Sequence, residues 1–429
     1  MNSRLMQKHA CVIGVDIGGT KIKAGAVEVG AGGVGTRVAH AREVATPRAD
    51  PAAFYDAVAT VIRDVHAQAE HSGLAVLPCV AVAHPGRFLP DGRLARGTTP
   101  NLGSAPGQFD GLSPSAELER RLSNNSSEAN AAKGSGLGAQ GTCPEPRAPS
   151  PEPKNQVKWR VFAENDAIAQ MRFGLDALLR DEVARPPLLG QTVVYLGPGT
   201  GMGGGVARVD AEGAVAIVTD GHLFDLQLPG YGDGTLTAEE LFTGPAIARY
   251  IREANEHSSS PIEPARAGEV DSLLRSPATP PEQRAFAERI VDVHGEILAL
   301  LIETIHAGRM TKVRLEPTPD GRLLRHVDEP DRAWSAADCA LIRGCARFIL
   351  GGFVGTSRGF GARMRERALA LLRQRGLREV AIFQIPVESA DAGLLGVVRA
   401  LSSHDIERCQ TALSKTRCSP TVSRGRLRG

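Results

Sequence analysis

A short hairpin near the start of the chain constrains the fold more than any other feature. Residues 11–17 form an apolar run rich in β-branched residues, which predicts a buried strand. A Gly-Gly-Thr turn follows, and residues 21–29 have the pattern of a second strand. A strand, a glycine turn and a strand make a β-hairpin, whereas a dinucleotide-binding unit passes from its first strand into a helix. The hairpin therefore argues against a Rossmann fold.

The rest of the chain alternates between strand and helix patterns. Further strands are predicted at 38–45, 80–83, 159–163, 192–196, 347–350 and 379–384. Helices are predicted at 51–71, 113–122, 165–179, 237–253, 281–306, 360–374 and 391–401. This alternation predicts an α/β protein.

The length of 429 residues is too great for one compact core and predicts two domains. We expect an N-terminal domain at 1–122, a disordered polar insertion at 123–156 and a C-terminal domain at 157–401. A second insertion is expected at 310–336, and a flexible tail at 402–429. The final helix, 391–401, is expected to pack back on the N-terminal domain.

Charge and cysteine usage exclude several classes of protein. The net charge is only +2 and aromatic residues make up 4%, so we expect no nucleic-acid partner. Seven scattered cysteines, with no Cys-x-x-Cys pair, indicate reduced thiols in a cytoplasmic protein. No signal peptide and no stretch of about 18 apolar residues is present, so no membrane partner is expected.

Three glycine-rich loops follow predicted strands. The first, Asp-Ile-Gly-Gly-Thr-Lys at 16–21, can cradle a phosphate with backbone N–H groups, and Asp16 is placed to hold Mg²⁺, usually through water. The second, at 197–205, has too many glycines for an ordinary turn, and no Walker lysine follows it. The third contains Gly351 and Gly352 and is weak evidence alone. A plain hairpin turn remains the alternative for the first loop.

Asp166 is the acidic residue that is the candidate for catalysis. It lies just after a predicted strand, in the first turn of a helix, where the helix dipole favours a carboxylate. Asn165 or Asp166 can equally serve as the helix cap, and taken alone the pattern favours capping over catalysis.

These four pieces, in this order, resemble the ROK family (repressor, open reading frame, kinase) of the actin-like sugar kinases and ATPases. The matching segments are DIGGTKIKAGAV, ENDAIA, GTGMGGG and ILGGFV, spread over about residues 11–401. The resemblance implies two ribonuclease H-like domains with an interdomain cleft in which ATP and a sugar meet.

The family's site residues transfer to matching positions. The resemblance implies that Asp166 is the general base and that Asp16 lies near Mg²⁺. It implies phosphate and nucleotide contacts from Gly18, Gly19, Thr20, Lys21, Gly199, Thr200, Gly201, Gly351 and Gly352. It implies sugar contacts from Asn101, Asn165, Asp166, His222 and Glu239, with Glu240 as the competitor of Glu239.

The sequence departs from the family pattern near His222. Many members have a zinc site built from this histidine and a cysteine cluster, but residues 223–236 contain no cysteine, so we expect no zinc. A structural histidine is an equal alternative to a sugar contact there. Thr219 replaces a glutamate that usually recognises the sugar, which puts the substrate and, mildly, catalysis in doubt. Asp220 can take the place of that glutamate only if the loop follows a different path.

The resulting hypothesis is an ATP-dependent hexose or N-acetylhexosamine kinase. The alternatives are a catalytically weak sugar- or nucleotide-binding protein of the same fold, and an actin-like kinase for a non-sugar acceptor. Only ten residues precede residue 11, so we expect no DNA-binding domain of the kind that the family's repressors carry. The sequence leaves the sugar and the oligomeric state open, although family members are commonly homodimers.

Overall fold

The structure is a computed structural model. It describes residues 10–30, 33–99, 102–105, 107–131, 158–219, 226, 228, 236–308, 314–317, 324–327, 336–386 and 391–417. The strands are β1 (Ala10–Ile17), β2 (Lys21–Gly30), β3 (Gly33–Ala45), β4 (Ala75–His84), β5 (Arg160–Asn165), β6 (Thr192–Pro198), β7 (Met202–Val209), β8 (Val215–Thr219), β9 (Arg314–Pro317), β10 (Leu324–Val327), β11 (Arg347–Leu350) and β12 (Ala381–Gln384). The helices are α1 (Pro51–His71), α2 (Pro114–Ala131), α3 (Asp166–Arg180), α4 (Ala238–Leu241), α5 (Gly244–Asn255), α6 (Ala267–Arg275), α7 (Pro281–His306), α8 (Ala336–Ile342), α9 (Gly352–Thr356), α10 (Phe360–Gln374), α11 (Ala392–Val398) and α12 (Ser403–Arg417).

Two five-stranded sheets share one strand order. The first has the order β3-β2-β1-β4-β5 and the second the order β12-β11-β6-β7-β8. In each sheet the first three strands in sequence form an antiparallel meander, and the remaining two add parallel strands beside its first strand. The predicted first hairpin is confirmed, since β1 and β2 pair around a Gly18–Lys21 turn. The α/β class is therefore confirmed, with one architecture used twice.

Two helices cross between the sheets. The helix α3 follows β5 of the first sheet, yet its buried residues Ala167 and Met171 pack with the second sheet. The helix α11 follows β12 of the second sheet, yet Val398 packs with Val12 and Val27 of the first. The two helices also contact each other closely. Thus a helix that follows a strand of each sheet packs against the other sheet. The cleft between the sheets begins where α3 and α11 cross.

Three segments differ from the predictions. Residues 123–131, expected to be disordered, belong to α2, because no glycine or proline interrupts the chain before residue 134. The supposed tail contains α12, whose buried Cys409 packs with Leu77 and Cys79 of the first sheet. The second insertion includes the β9–β10 hairpin. Residues 132–157 and 418–429 lie outside the described residues.

Capping residues explain the divided helix at 237–253. Thr237 begins α4 with a capping box in which Glu240 bonds back to the Thr237 backbone. Thr243 then accepts a hydrogen bond from the Ala246 N–H and begins α5. Two caps six residues apart favour two short helices over one.

Candidate functional site

A cavity of about 870 Å³ lies between the two sheets. Twelve of the predicted site residues line it: Asp16, Gly18, Gly19, Thr20, Lys21, Asn165, Asp166, Gly199, Thr200, Gly201, Glu239 and Gly352. Gly351 is described but does not line the cavity, and Asn101 and His222 lie outside the described residues. The structure thus brings residues 16–21, 165–166, 199–201 and 352 to one place from four separate parts of the chain.

The first glycine loop is held by backbone hydrogen bonds. The N–H of Gly18 donates to the Lys21 carbonyl at 2.8 Å, which closes the turn. Thr46, just beyond β3, donates its hydroxyl to the Gly18 carbonyl at 2.7 Å and its N–H to the Thr20 carbonyl at 3.0 Å. These bonds use the carbonyl groups of the loop and fix it at the cavity wall beside Asp16.

Asp16 is the second-last residue of β1 and faces the cavity. Burial raises the pKa of its carboxyl to about 6, against the opposing effect of Lys23 and Lys21. The helix α11 lies directly against it: a Cβ added at Gly393 would come within 2.2 Å of the Asp16 carboxyl. Lys23 also reaches Asp391, at the start of α11, with an N–O distance of 2.5 Å. The position of Asp16 therefore depends on the docking of α11.

Asn165 is the cap of α3, which settles the choice between the two neighbours. Its Oδ1 accepts from the N–H groups of Ala167 and Ile168 at 3.0 and 3.2 Å, and its Nδ2 donates to the Gly86 carbonyl at 2.8 Å. Asp166 is the first helical residue and accepts one further bond from Ala167, at 2.9 Å. The capping interpretation therefore applies to Asn165 and leaves Asp166 as a carboxylate in the cavity wall.

The environment of Asp166 is that of a proton acceptor near neutral pH. Burial, and secondarily the negative charge of Asp16, raise the pKa of its carboxyl to about 7. The Ala167 N–H opposes this shift by stabilising the charged form. A carboxyl with a pKa near 7 is well matched to general acid–base chemistry at that pH.

The second glycine loop connects β6 to β7 and is held by hydrogen bonds to Gly244 and Glu239. Gly199 donates its N–H to the Gly201 carbonyl at 2.9 Å, and its own carbonyl accepts from the Gly244 N–H at 2.8 Å. Glu239 accepts a hydrogen bond from the Met202 N–H, and burial raises the pKa of its carboxyl to about 7. Glu240 is occupied by its capping box, so Glu239 is the one that reaches the cavity.

The third glycine loop needs both of its glycines. Gly351 lies against the ring of Tyr195, and a Cβ there would come within 2.4 Å of it. Gly352 has φ +64°, and a Cβ would lie 2.3 Å from the Pro198 carbonyl oxygen. The two glycines let the third loop pack against the second. Phe353, which follows them, is 68% exposed in the cavity.

Sequence reasoning missed several residues that line the cavity. Gln170 of α3 accepts a hydrogen bond from the Tyr195 hydroxyl at 2.9 Å. Arg275 of α6, which pairs with Asp271, and Arg358 before α10 also line the cavity. None of these belongs to a motif, and α6 itself was not predicted. A sequence signal for α6 existed in the apolar spacing of residues 267, 270 and 274.

The described residues contain no cluster of three or more histidines, cysteines or acidic residues that would hold a metal by themselves. The lining nevertheless fits Mg²⁺ brought with a nucleotide. Such an ion commonly takes one or two carboxylates, with phosphate and water oxygens completing its shell. Asp16 supplies a carboxylate beside two glycine loops.

In the described part of the chain, no helix is long and apolar enough to cross a bilayer.

Comparison with known proteins identifies the fold. No protein-family model matches the sequence, and a search of curated proteins gives no match. Solved structures do match. The ROK hexokinase from Thermus thermophilus has a TM-score of 0.50 and 21% identity, over 93% of this chain and 99% of that one. The glucokinase from Balamuthia mandrillaris in complex with glucose has a TM-score of 0.50 and 14% identity, over 91% and 93%.

A regulator has the same fold. A ROK family transcriptional regulator, a homolog of the E. coli MLC protein, has a TM-score of 0.56 and 11% identity, over 96% of this chain and 81% of that one. Kinases and regulators thus match the same chain, so its activity has to be argued from the site. The predicted fold is confirmed: the chain has the two-unit actin-like ATPase fold of the ROK proteins.

Proposed function

We propose that the protein is a ROK family kinase that transfers the γ-phosphoryl group of ATP to a hydroxyl of a hexose or N-acetylhexosamine. The observation that carries the proposal is the placement of Asp166. It lines the cavity together with the first and second glycine loops, Asn165 is the cap of the helix, and Asp16 faces the same cavity. The likeness in fold to a hexokinase and a glucokinase supports the sugar as acceptor.

In this proposal Asp166 is the general base. The sugar hydroxyl oxygen attacks the γ-phosphorus, the bond from that phosphorus to the ADP oxygen breaks, and the hydroxyl proton passes to the Asp166 carboxylate. The backbone N–H groups of Gly19 and Thr20 in the first loop, and of Thr200 and Gly201 in the second, hold the phosphate oxygens in line. Mg²⁺, when bound beside Asp16, would neutralise charge on the phosphates.

The remaining predicted contacts divide the cavity into two sides. Gly351 and Gly352 belong to the adenosine side, with Lys21 near the phosphates. Asn165 and Glu239 belong to the sugar side, and we also propose Asn101 and His222 for it. A cytoplasmic location and a homodimer complete the proposal. The location is supported by the described cysteines, none of which forms a disulfide: Cys11, Cys79, Cys339, Cys345 and Cys409.

An ADP-release assay tests the proposal. Mg-ATP is offered with glucose, mannose, N-acetylglucosamine and N-acetylmannosamine to the wild-type protein, to Asp166→Asn and to Asp176→Asn. The last is the matched control, since Asp176 lies on the same helix outside the cavity and pairs with Arg180 and Arg399. We expect turnover of at least one sugar, a loss of at least about a hundredfold in Asp166→Asn, and little loss in the control.

The alternative is a sugar- or nucleotide-binding protein that catalyses weakly or not at all. The regulator of the same fold and Thr219, which ends β8 where relatives have a glutamate, favour this alternative. Binding without turnover would raise the melting temperature by mass action. If no sugar is turned over but a sugar or ATP raises the melting temperature, the binding protein replaces the kinase. If a non-sugar acceptor alone is turned over, the sugar assignment is wrong.

A further inference from the structure

A buried histidine lies directly behind the cavity wall. His84 is the last residue of β4, is 0% exposed, and precedes Pro85 and Gly86, which line the cavity. It belongs to none of the motifs described above. Histidine is seldom fully buried without partners, so its hydrogen bonds indicate its role.

Both ring nitrogens of His84 have a partner. Nδ1 lies 2.6 Å from the carbonyl oxygen of Pro85, and Nε2 lies 3.1 Å from the hydroxyl oxygen of Tyr55. A carbonyl can only accept, so the proton is on Nδ1, and Nε2 accepts the hydrogen of the Tyr55 hydroxyl. The donor and acceptor order is thus fixed from Tyr55 through His84 to Pro85.

The surroundings keep this ring neutral and in place. Phe54, Tyr55, Phe88 and Phe109 surround it, with ring centroids 6.0–6.4 Å away. Burial lowers the pKa of His84 to about 4, against a small opposing effect of the Pro85 carbonyl. The imidazole therefore stays uncharged, and its donor order does not change, across the pH range in which an enzyme works.

The backbone links Pro85 to Gly86, where a second set of hydrogen bonds leads to the proposed catalytic base. The Gly86 carbonyl accepts from Asn165 Nδ2 at 2.8 Å, and Asn165 Oδ1 caps the N–H groups of Ala167 and Ile168. His84 and Asn165 are also partners in the register of β4 and β5. Gly86 has φ +104°, and Thr98 and Thr99 enclose it tightly, so its peptide has little freedom to reorient.

We propose that His84 is a positioning residue for Asp166: the Tyr55–His84–Pro85 hydrogen bonds fix the Pro85 carbonyl, and the adjoining Gly86, whose carbonyl accepts from Asn165, passes this constraint to Asn165 and the first turn of α3. The expected effect on kinetics rests on the proposed function. The connected hydrogen bonds from Tyr55 through His84 to Asn165, called the relay below, do not. The relay reaches the sugar side of the cavity and leaves the third glycine loop untouched. Its loss should therefore affect the sugar more than ATP.

The chain offers a matched control in His294. This histidine of α7 is also buried, donates from Nδ1 to a backbone carbonyl (Ile290, 2.8 Å), and has its pKa lowered to about 4 by burial. It packs against the rings of Tyr250 and Phe360, and neither of these residues lines the cavity. Replacing it has a comparable cost in packing without breaking the relay.

The test compares His84→Leu, His84→Asn and His294→Leu by two measurements. The first is the hydrogen-exchange rate of the amides of Ala167 and Ile168, which needs no substrate. The second is kcat and KM for the sugar found in the ADP-release assay and for ATP. Asn is the rescue variant because its Nδ2 can occupy the place of the imidazole Nδ1 and donate to the Pro85 carbonyl.

We expect His84→Leu to speed the exchange of both amides at least about tenfold, since the cap loosens. Its kcat/KM for the sugar should fall about ten- to a hundredfold, the scale of a misplaced catalytic group, with KM for ATP within about twofold. His84→Asn should recover most of both, and His294→Leu should change neither. Tyr55→Phe, which keeps the ring and removes the hydroxyl, should shift both values in the same direction and serves if His84→Leu does not fold.

The relay is wrong if the exchange rates and the sugar kinetics of folded His84→Leu, or of Tyr55→Phe in its place, match those of the wild type. It is also wrong if His294→Leu changes them equally, because a general loss of stability then explains the effect. If no sugar is turned over by the wild type, the proposed function fails, and the exchange rates alone still decide the relay.

Discussion

Three partly buried acids share the lining of the cavity with several basic side chains. Asp16, Asp166 and Glu239 all line it, and burial raises the pKa of each carboxyl to about 6 or 7. Lys21 and Lys23 offset part of this cost at Asp16, but the carboxyl of Asp166 gains little from them. Burial and the neighbouring charge of Asp16 therefore disfavour the ionised form of Asp166 in the folded protein.

Replacing Asp166 should therefore stabilise the folded protein at high pH. The folded-state pKa of about 7 lies above the usual Asp value, so between about pH 4 and 7 the folded chain keeps a proton that the unfolded chain has lost. The free energy of unfolding then falls as pH rises through this window. Asn does not ionise, so we expect Asp166→Asn to gain on the order of 1 kcal/mol at pH 8 and almost nothing at pH 4.

Thermal unfolding at the two pH values, without nucleotide, measures this difference. The control is Asp176→Asn, which removes ion pairs to Arg180 and Arg399 and should lower the melting temperature at pH 8. A melting temperature for Asp166→Asn at or below that of the wild type at pH 8 would show that the carboxylate is not strained by burial.

Among the elements, the crossing of α3 and α11 sets the geometry of the site. Gly396 of α11 lies so close to α3 that a Cβ would come within 1.8 Å of the Ala169 carbonyl oxygen. One turn earlier, Gly393 lies against Asp16 in the same way. At the end of α11 that does not line the cavity, Arg399 pairs with Asp176 at 3.0 Å. The same helix thus packs on α3 and supports a residue of the cavity.

Replacing Gly393 and Gly396 by alanine, one at a time, should distinguish the support of Asp16 from the packing of α11 on α3. Gly393→Ala should push the Asp16 carboxyl aside, so we expect kcat to fall at least about tenfold, because catalytic groups tolerate little displacement. Gly396→Ala should separate α3 from α11 and cost about 1–3 kcal/mol of stability, as overpacking does. Steady-state kinetics and thermal unfolding of both variants decide the matter. If Gly393→Ala and Gly396→Ala are equally stable and lose equal amounts of kcat, the two glycines do not have these separate roles.

The sequence was a good guide to elements where glycine interrupts apolar strands. The strands β1, β6 and β11, each ending in a glycine loop, were predicted nearly to the residue. Helix limits were less reliable, because single side-chain bonds decide them: the Thr243 cap divides α4 from α5. The reciprocal bonds of Ser402 and Asp405 begin α12, and this Ser-x-x-Asp signal was overlooked.

The site was predictable only in part, for a different physical reason. Motif residues on the three loops could be found because close backbone approach requires glycine. Gln170, Arg275 and Arg358 have no such local requirement, and they reach the cavity only because the fold brings α3, α6 and the segment before α10 to its wall. His84 is similar, since its partner Tyr55 is 29 residues away and on another element.

The whole molecule repeats one design on both sides of its cavity. In each sheet the meander places a glycine hairpin at the cavity: the Asp16 loop between β1 and β2, and the Gly199 loop between β6 and β7. The two loops come from separate sheets, so their spacing depends on the angle between the sheets. Phosphates held by both loops at once would fix that angle.

We therefore expect the two halves to close on their substrates. Closure would exclude water from the phosphate and bring Asp166 toward the sugar hydroxyl, which favours transfer to the sugar over hydrolysis. Small-angle X-ray scattering should show a smaller radius of gyration with the sugar substrate and a non-hydrolysable ATP analogue than without ligands. Asp166→Asn should close as well, because Asn preserves the shape of the site, and a hexose that is not phosphorylated should have no effect. Unchanged scattering at saturating concentrations of both true ligands would mean that the cavity works as a preformed site, with the sheets already at their catalytic angle.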